Sequence, residues 1–225
     1  MRPTDFRRQL ETILAAGLEV VRLAEAIPAL SQADDARRVA ITFDDSYGDF
    51  PDHALPVLRE LELPATIFVP TALVGEKLDW YPDSPRALTW DELEALATEG
   101  LVDLQSHSRT HPWLPRVDDR QARDEISGSK HELEARLSSE VTSFCYPAGL
   151  YGDRELRLVR EAGYRGAVGT DPGVNRSDAP VYALKRTLIF WGDSSRVFAA
   201  KLAGLLDRPS WGRALVQRHR AGRRR

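Results

Sequence analysis

Apolar and polar positions along the 225 residues follow two alternating rhythms. Phe6, Leu10, Ile13 and Leu14 recur at the spacing of one helix face, and Gly17 supplies a stop. Short runs rich in β-branched and aromatic residues then read as strands: LEVVRL (18–23), VAITF (39–43), ATIFVP (65–70), LVDLQS (101–106), VTSFCY (141–146), YRGAVG (164–169) and YALKRTLI (182–189). Between them the pattern predicts a helix over 52–62, with Pro56 near its first turn, where proline is tolerated. TWDELEALATEG reads as another, with a capping-box pair in Thr89 and Glu92 and a C-cap in Gly100. A long helix spans 118–137, with Ala122, Ile126, Leu133 and Leu137 on one face. DRELRLVREAG and 195–206 are the last two.

Strand and helix alternate seven times without an internal repeat, which predicts parallel β/α architecture. Seven strands in series with short connections favour a distorted (β/α)7 barrel, closed or incomplete, over an open sheet. No GxGxxG or GxxxxGKS fingerprint follows a strand, so a nucleotide-binding sheet loses ground. The longer connections, 71–88, 107–117 and 170–181, all follow strand C-termini, the face where such barrels build their sites. One catalytic domain over 1–206 is expected, followed by a basic tail, 207–225, that ends in RHRAGRRR. The tail reads as a flexible solubilising end, with attachment to anionic lipid headgroups as the alternative.

Composition narrows this picture in three places. A 42% hydrophobic content supports one sizeable core. A net charge of −3 offers no footing for a nucleic-acid partner. Cys145 is the single cysteine, so no intrachain disulfide forms. The N-terminus is charged and no run approaches 18 apolar residues, which predicts neither signal peptide nor transmembrane segment. The expectation is a cytoplasmic chain, exported only if the true start lies upstream. The oligomeric state is not legible.

The polar residues at strand ends carry the chemistry. Asp44 and Asp45 end the 39–43 run, His107 and His111 follow 101–106, and YPAG (146–149) ends 141–146. One turn or a tight loop brings the two imidazoles to one side. A carboxylate and two imidazoles make a three-ligand set for a divalent metal, with a position left open. The second aspartate is then free to act as a base, and the cation makes its charge tolerable. Taken singly, adjacent aspartates are turn residues and HxxxH is two surface histidines. Their convergence on one rim favours a site. Arg186, among the apolar residues of LKRTLI, needs a partner if buried. Pairing with Asp44 or Asp45 is one reading and a surface salt bridge the other.

TFDDSYGDFPDHALPVLRELELPATIFV, LQSHSRTHPWL and SFCYPAGLYG, in that order, resemble the polysaccharide deacetylases, carbohydrate esterase family four. The resemblance runs from about Phe6 to Ile189. It implies a distorted β/α barrel and hydrolysis of acetyl groups from sugars, mostly N-acetylglucosamine units of polymers and sometimes O-acetyl groups of xylan. It also implies Asp44 as general base and Asp45, His107 and His111 as metal ligands. The metal is expected to be zinc, with cobalt, nickel or manganese as alternatives. A backbone N–H near Pro147 and Ala148 is implied to steady the oxyanion. Arg186 joins the catalytic candidates, and Tyr146, Pro147, Ala148, Gly149 and Asn175 the substrate-binding ones. An acetylated carbohydrate is the expected partner.

Three departures stand out. Ser46 replaces the family's usual glycine, and Cys145 stands where an arginine often orients the base. No histidine occurs between Tyr151 and Arg218 to protonate the leaving amine; His53, His131 and His219 are poor substitutes. Trp80, Tyr81, Trp90, Trp113 and Trp191 fall in or near rim loops, where one or two are expected to face sugar rings. An O-acetyl esterase, an amidohydrolase of a small cyclic amide and a non-catalytic glycan binder are the competing functions.

Overall fold

The computed structural model describes residues 2–30, 32, 36–80 and 84–206. The basic tail, its His219 and the rim residue Tyr81 lie outside the described residues. Five strands form a parallel sheet in chain order: β3 (Thr42–Phe43), β4 (Ala65–Val69), β5 (Val102–Ser106), β6 (Ser143–Cys145) and β7 (Gly166–Val168). β1 (Glu19–Val20) and β2 (Arg38–Val39) form a separate parallel pair. The architecture is thus a half-barrel of five parallel strands wrapped by helices.

Alternation along each strand sorts side chains onto two faces. Ile67 and Val69 of β4 join Leu58, Leu93, Leu104, Leu133 and Phe144 in the large core between sheet and helices. Phe68, between them, turns the other way, into a smaller cluster with Leu23, Ile27, Cys145, Val168 and Leu184. Both faces of the sheet are buried, which is why its central strand β4, ATIFV, reads as a nearly continuous apolar run. The helices are α1 (Pro3–Ala15), α2 (Leu23–Ala29), α3 (Phe50–His53), α4 (Leu55–Leu61), α5 (Trp90–Thr98), α6 (Asp119–Arg123), α7 (Ser129–Leu137), α8 (Asp153–Glu161) and α9 (Ser195–Leu202). The Thr89 hydroxyl accepts the Glu92 N–H, and the Glu92 carboxylate accepts the Thr89 N–H, closing the predicted capping box.

Several elements differ from the sequence expectation. VAITF is not one strand: it is interrupted at Ala40 and Ile41, its first end pairing with β1 and its last with β4. The expected seventh strand, 182–189, forms a single parallel bridge, Val168↔Leu184. Only Leu184 of that segment is buried, although backbone hydrogen bonds join Leu184 to Ala167 and Gly169, and Arg186 to Asp171. The helix expected over 52–62 breaks into α3 and α4. The helix expected over 118–137 is interrupted by a π-helical turn, Asp124–Gly128. α9 stops at Leu202, short of 206, with Gly204 in left-handed backbone just beyond it. α2 falls almost entirely in a stretch, 24–38, for which the sequence predicts no element. No helix among the described residues is long and apolar enough to cross a membrane.

Candidate active site

The site lies at the C-terminal ends of β3, β5 and β6. Asp44 and Asp45 follow β3 directly, and the backbone turns left-handed at Asp45 (φ 66) and Ser46 (φ 48). The two carboxylates take different partners. His107 follows β5, where its N–H donates to the Val69 carbonyl at 3.0 Å. Its Nδ1 donates to the Cys145 carbonyl at 2.8 Å, which sets the tautomer and leaves Nε2 as the acceptor. His111 arrives by a tight loop in which Ser108 (φ 65) and His111 itself (φ 56) are left-handed.

Asp45 Oδ1 lies 3.6 Å from Nε2 of His107 and 3.6 Å from Nε2 of His111. That oxygen is buried and accepts no hydrogen bond. An orphaned buried carboxylate oxygen is costly and calls for a partner. Burial pushes the Asp45 carboxyl up; His107 opposes this and Asp44 adds to it. Burial, then His107, draws His111 down to about 3, so its ring is neutral at neutral pH and offers a lone pair. The ligand atoms of the three residues lie within 4.8 Å of one another. The donor set fits a divalent cation. Asp44, His107 and Cys145 satisfy the same distance test. That set is the weaker one: Asp44 is already engaged by an arginine, and burial holds the Cys145 thiol well above its usual range.

Arg186 grips Asp44 with two nitrogens, at 2.5 and 2.7 Å. The arginine side chain is 11% exposed and the aspartate 28%. Other guanidinium contacts go to the Gly169 carbonyl (3.0 Å), Thr42 Oγ1 (3.2 Å) and Cys145 Sγ (3.1 Å). Burial pushes Asp44 up, but Arg186 first and then His107 overcome it and hold the carboxyl at about 2. Of the two readings left open for Arg186, the geometry corresponds to the buried pair. Thr42 and Cys145 complete its surroundings. Neither carried a sequence signal of that contact, because the partners come from distant strands.

Ser46 is 1% exposed, left-handed, and its hydroxyl has no partner among the described residues. This is the position where the resemblance leads one to expect glycine. Ser46→Gly should relieve a left-handed non-glycine conformation and an unsatisfied buried hydroxyl, stabilising the protein by about 1 kcal/mol. A thermal melt checks it: a rise of about 2–4 °C is expected, and a fall would contradict the argument.

In the YPAG turn most side chains are engaged within the fold. Tyr146 is fully buried, its ring stacks on Tyr151 and its hydroxyl donates to the Tyr182 carbonyl, so it is a core residue. Pro147 and Gly149 are buried, and Ala148 (φ 53) is the exposed member of the turn. Gly149 is required where it stands: φ is 66, and a Cβ would lie 2.0 Å from Thr170 Oγ1. Asn175 is consumed by the backbone: its amide donates to the Lys185 carbonyl and accepts the Lys185 N–H, both at 2.9 Å, and it pins a loop. Trp80 packs against the His111 ring, centroids 4.7 Å apart. Trp90 is half-buried beneath Arg136, Trp113 lies under Arg116, and Trp191 is 87% exposed. His53 sits beside Asp49 on the surface and His131 is exposed, so neither reaches this cluster.

Comparison with known proteins places the chain in a family and a fold. The family model described as polysaccharide deacetylase matches residues 31–167. YxkH of Bacillus subtilis is 28% identical over 203 residues, which cover 89% of this chain and 70% of YxkH. The poly-beta-1,6-N-acetyl-D-glucosamine N-deacetylase of Staphylococcus epidermidis is 25% identical over 194 residues, covering 82% of this chain but 66% of that protein. Among solved structures, the Streptococcus pyogenes deacetylase PplD in complex with acetate superposes with a TM-score of 0.78 at 26% identity, covering 89% of this chain and 86% of PplD. IcaB from Ammonifex degensii gives 0.78 at 23% identity, with 89% and 88% covered, a likeness of fold.

Proposed function

This chain belongs to the polysaccharide deacetylase family, hydrolases acting on the carbon–nitrogen bonds of acetylated sugars, and from that premise we propose that it is a metal-dependent N-deacetylase of a glucosamine-containing poly- or oligosaccharide. The observation that carries the proposal is the orphaned Asp45 oxygen, equidistant from two histidine nitrogens, beside a second aspartate clamped by an arginine. Asp45, His107 and His111 would hold the cation, zinc by preference for this donor set, with cobalt, nickel or manganese as alternatives. Such a cation supplies Lewis acidity, acidifying a water and polarising an acetyl carbonyl.

Asp44 takes the proton from the attacking water. Arg186 keeps its carboxylate ionised and fixed in orientation. A carboxyl held at about 2 is a reluctant acceptor and a ready donor. The proton it takes therefore passes readily to the departing amine, so one residue covers both transfers. The backbone N–H of Ala148, on the exposed turn, is the proposed donor to the developing oxyanion. Trp80 forms a wall beside His111 on which a sugar ring can stack.

A second reading, O-acetyl esterase activity, is favoured by the surface positions of His53 and His131, since an alkoxide leaving group needs less help than an amine. Acetate release separates the two. The zinc-loaded protein should release acetate from β-1,6- or β-1,4-linked N-acetylglucosamine oligomers. Release from acetylated xylan alone would replace the first reading by the second.

A further inference from the structure

We propose that Glu125 is a positioning residue that holds the 108–111 loop in the shape that aims His111 at Asp45. Its consequence for metal binding rests on the reading above; its grip on the loop rests on geometry alone. The helix that begins with α6 widens into a π turn over Asp124–Gly128 before α7 resumes. Such turns are frequent at functional sites. Glu125 sits in this turn and is only 3% exposed, an unusual place for a carboxylate. Its Oε2 accepts the backbone N–H of Arg109 and that of Thr110, both at 2.8 Å, and its Oε1 accepts the Thr110 hydroxyl.

Those two backbone donors lie inside the His107–His111 loop. On either side of them, Ser108 and His111 stand in left-handed backbone, which costs a non-glycine residue about 1 kcal/mol or more. A strained loop persists only where its surroundings over-determine it. Ser108 Oγ accepts the His111 N–H at 3.1 Å, and Glu125 supplies the buried acceptor for the two residues between. Helix and loop are fitted from outside as well. Arg109 donates to Asp124 at 2.6 Å and pairs with Glu132 at 2.8 Å. Gly128 leaves the space for it, because a Cβ there would lie 2.8 Å from Arg109 Cδ. Without Glu125, two N–H groups lose their acceptor, the loop has a less strained alternative, and His111 leaves its place opposite Asp45.

Three variants test this, with Co2+ as the probe. Glu125→Ala should weaken Co2+ binding by about 10- to 100-fold and alter the visible spectrum of the cobalt protein. Glu125→Gln, which keeps an oxygen acceptor, should stay within about threefold of the parent. Ile126→Val, a fully buried neighbour, should lower the melting temperature and leave Co2+ affinity unchanged. In metal-free protein, amide hydrogen exchange at Arg109 and Thr110 should speed up in Glu125→Ala and not in Ile126→Val. Parental Co2+ affinity in Glu125→Ala, an equal loss of affinity in Ile126→Val, or unchanged exchange at Arg109 and Thr110 would each overturn the proposal. If the parent binds no Co2+, the metal reading falls, and the exchange measurement still decides whether Glu125 holds the loop.

Discussion

Asp44→Asn lowers kcat/KM for acetate release by about 10²–10⁴-fold, the range for loss of a positioned proton-transfer group. The three proposed ligands are untouched, so one equivalent of zinc still binds. Asparagine offers Arg186 one oxygen where the carboxylate offered two, and its NH2 faces a second guanidinium donor. One buried donor is left unsatisfied, which costs about 1–3 kcal/mol of stability. Activity measured alongside a thermal melt separates the two effects: the melt accounts for a modest loss, and the missing base for the rest. Activity within tenfold of the parent would remove Asp44 from the proposed role.

Arg186→Met produces the second large effect, and its signature is a pH shift. Methionine keeps the apolar stem but leaves Asp44 without its main counter-charge. With Arg186 present, the folded carboxyl sits at about 2, below its ordinary 3.8. The pair therefore contributes stability that is fully present above pH 3.8 and lost as the pH falls through about 2. Without Arg186, burial dominates and lifts the carboxyl above its ordinary value. The sign then reverses: the ionised group destabilises the fold at neutral pH, and acidification through the raised pKa relieves it. The cost at pH 7 is about 3 kcal/mol, at the low end for a broken buried pair because Asp44 is 28% exposed. Loss of a fixed orientation lowers kcat by about 10²-fold. The acid limb of the rate profile moves to higher pH. An unshifted acid limb with normal kcat would show that Arg186 neither orients Asp44 nor tunes it.

What the sequence revealed and what it hid follow from where the determining contacts lie. β4 was legible because a strand buried on both faces is an apolar run between clear breaks, and β5 because Val102 and Leu104 alternate with polar residues. α5 was legible because its cap is local, Thr89 to Glu92. The interruption at Ala40 and Ile41 was not, because the two halves pair with different strands that the segment itself does not name. The 182–189 segment has the composition of a strand but only one bridge, since its register depends on β7 alone. At the site, Asp44, Asp45, His107 and His111 could be read from position at strand ends. The Arg186 partner could only be narrowed to two residues, because it lies 142 positions away. Tyr146 and Asn175 stood among the substrate-binding candidates, Asn175 with a turn role as its alternative; their hydroxyl and amide are engaged by the Tyr182 and Lys185 carbonyls, contacts that lie 36 and 10 positions away. Glu125 did leave a trace. It stands within the apolar stripe of Ala122, Ile126 and Leu133, where a charge calls for a buried partner.

The most direct test of the central claim is acetate release from β-1,6-linked N-acetylglucosamine oligomers by metal-stripped protein, titrated with zinc. The account predicts no release without metal and activity that rises to a plateau at one equivalent per chain. Full release from protein that holds no metal, or no metal binding at all, would contradict it.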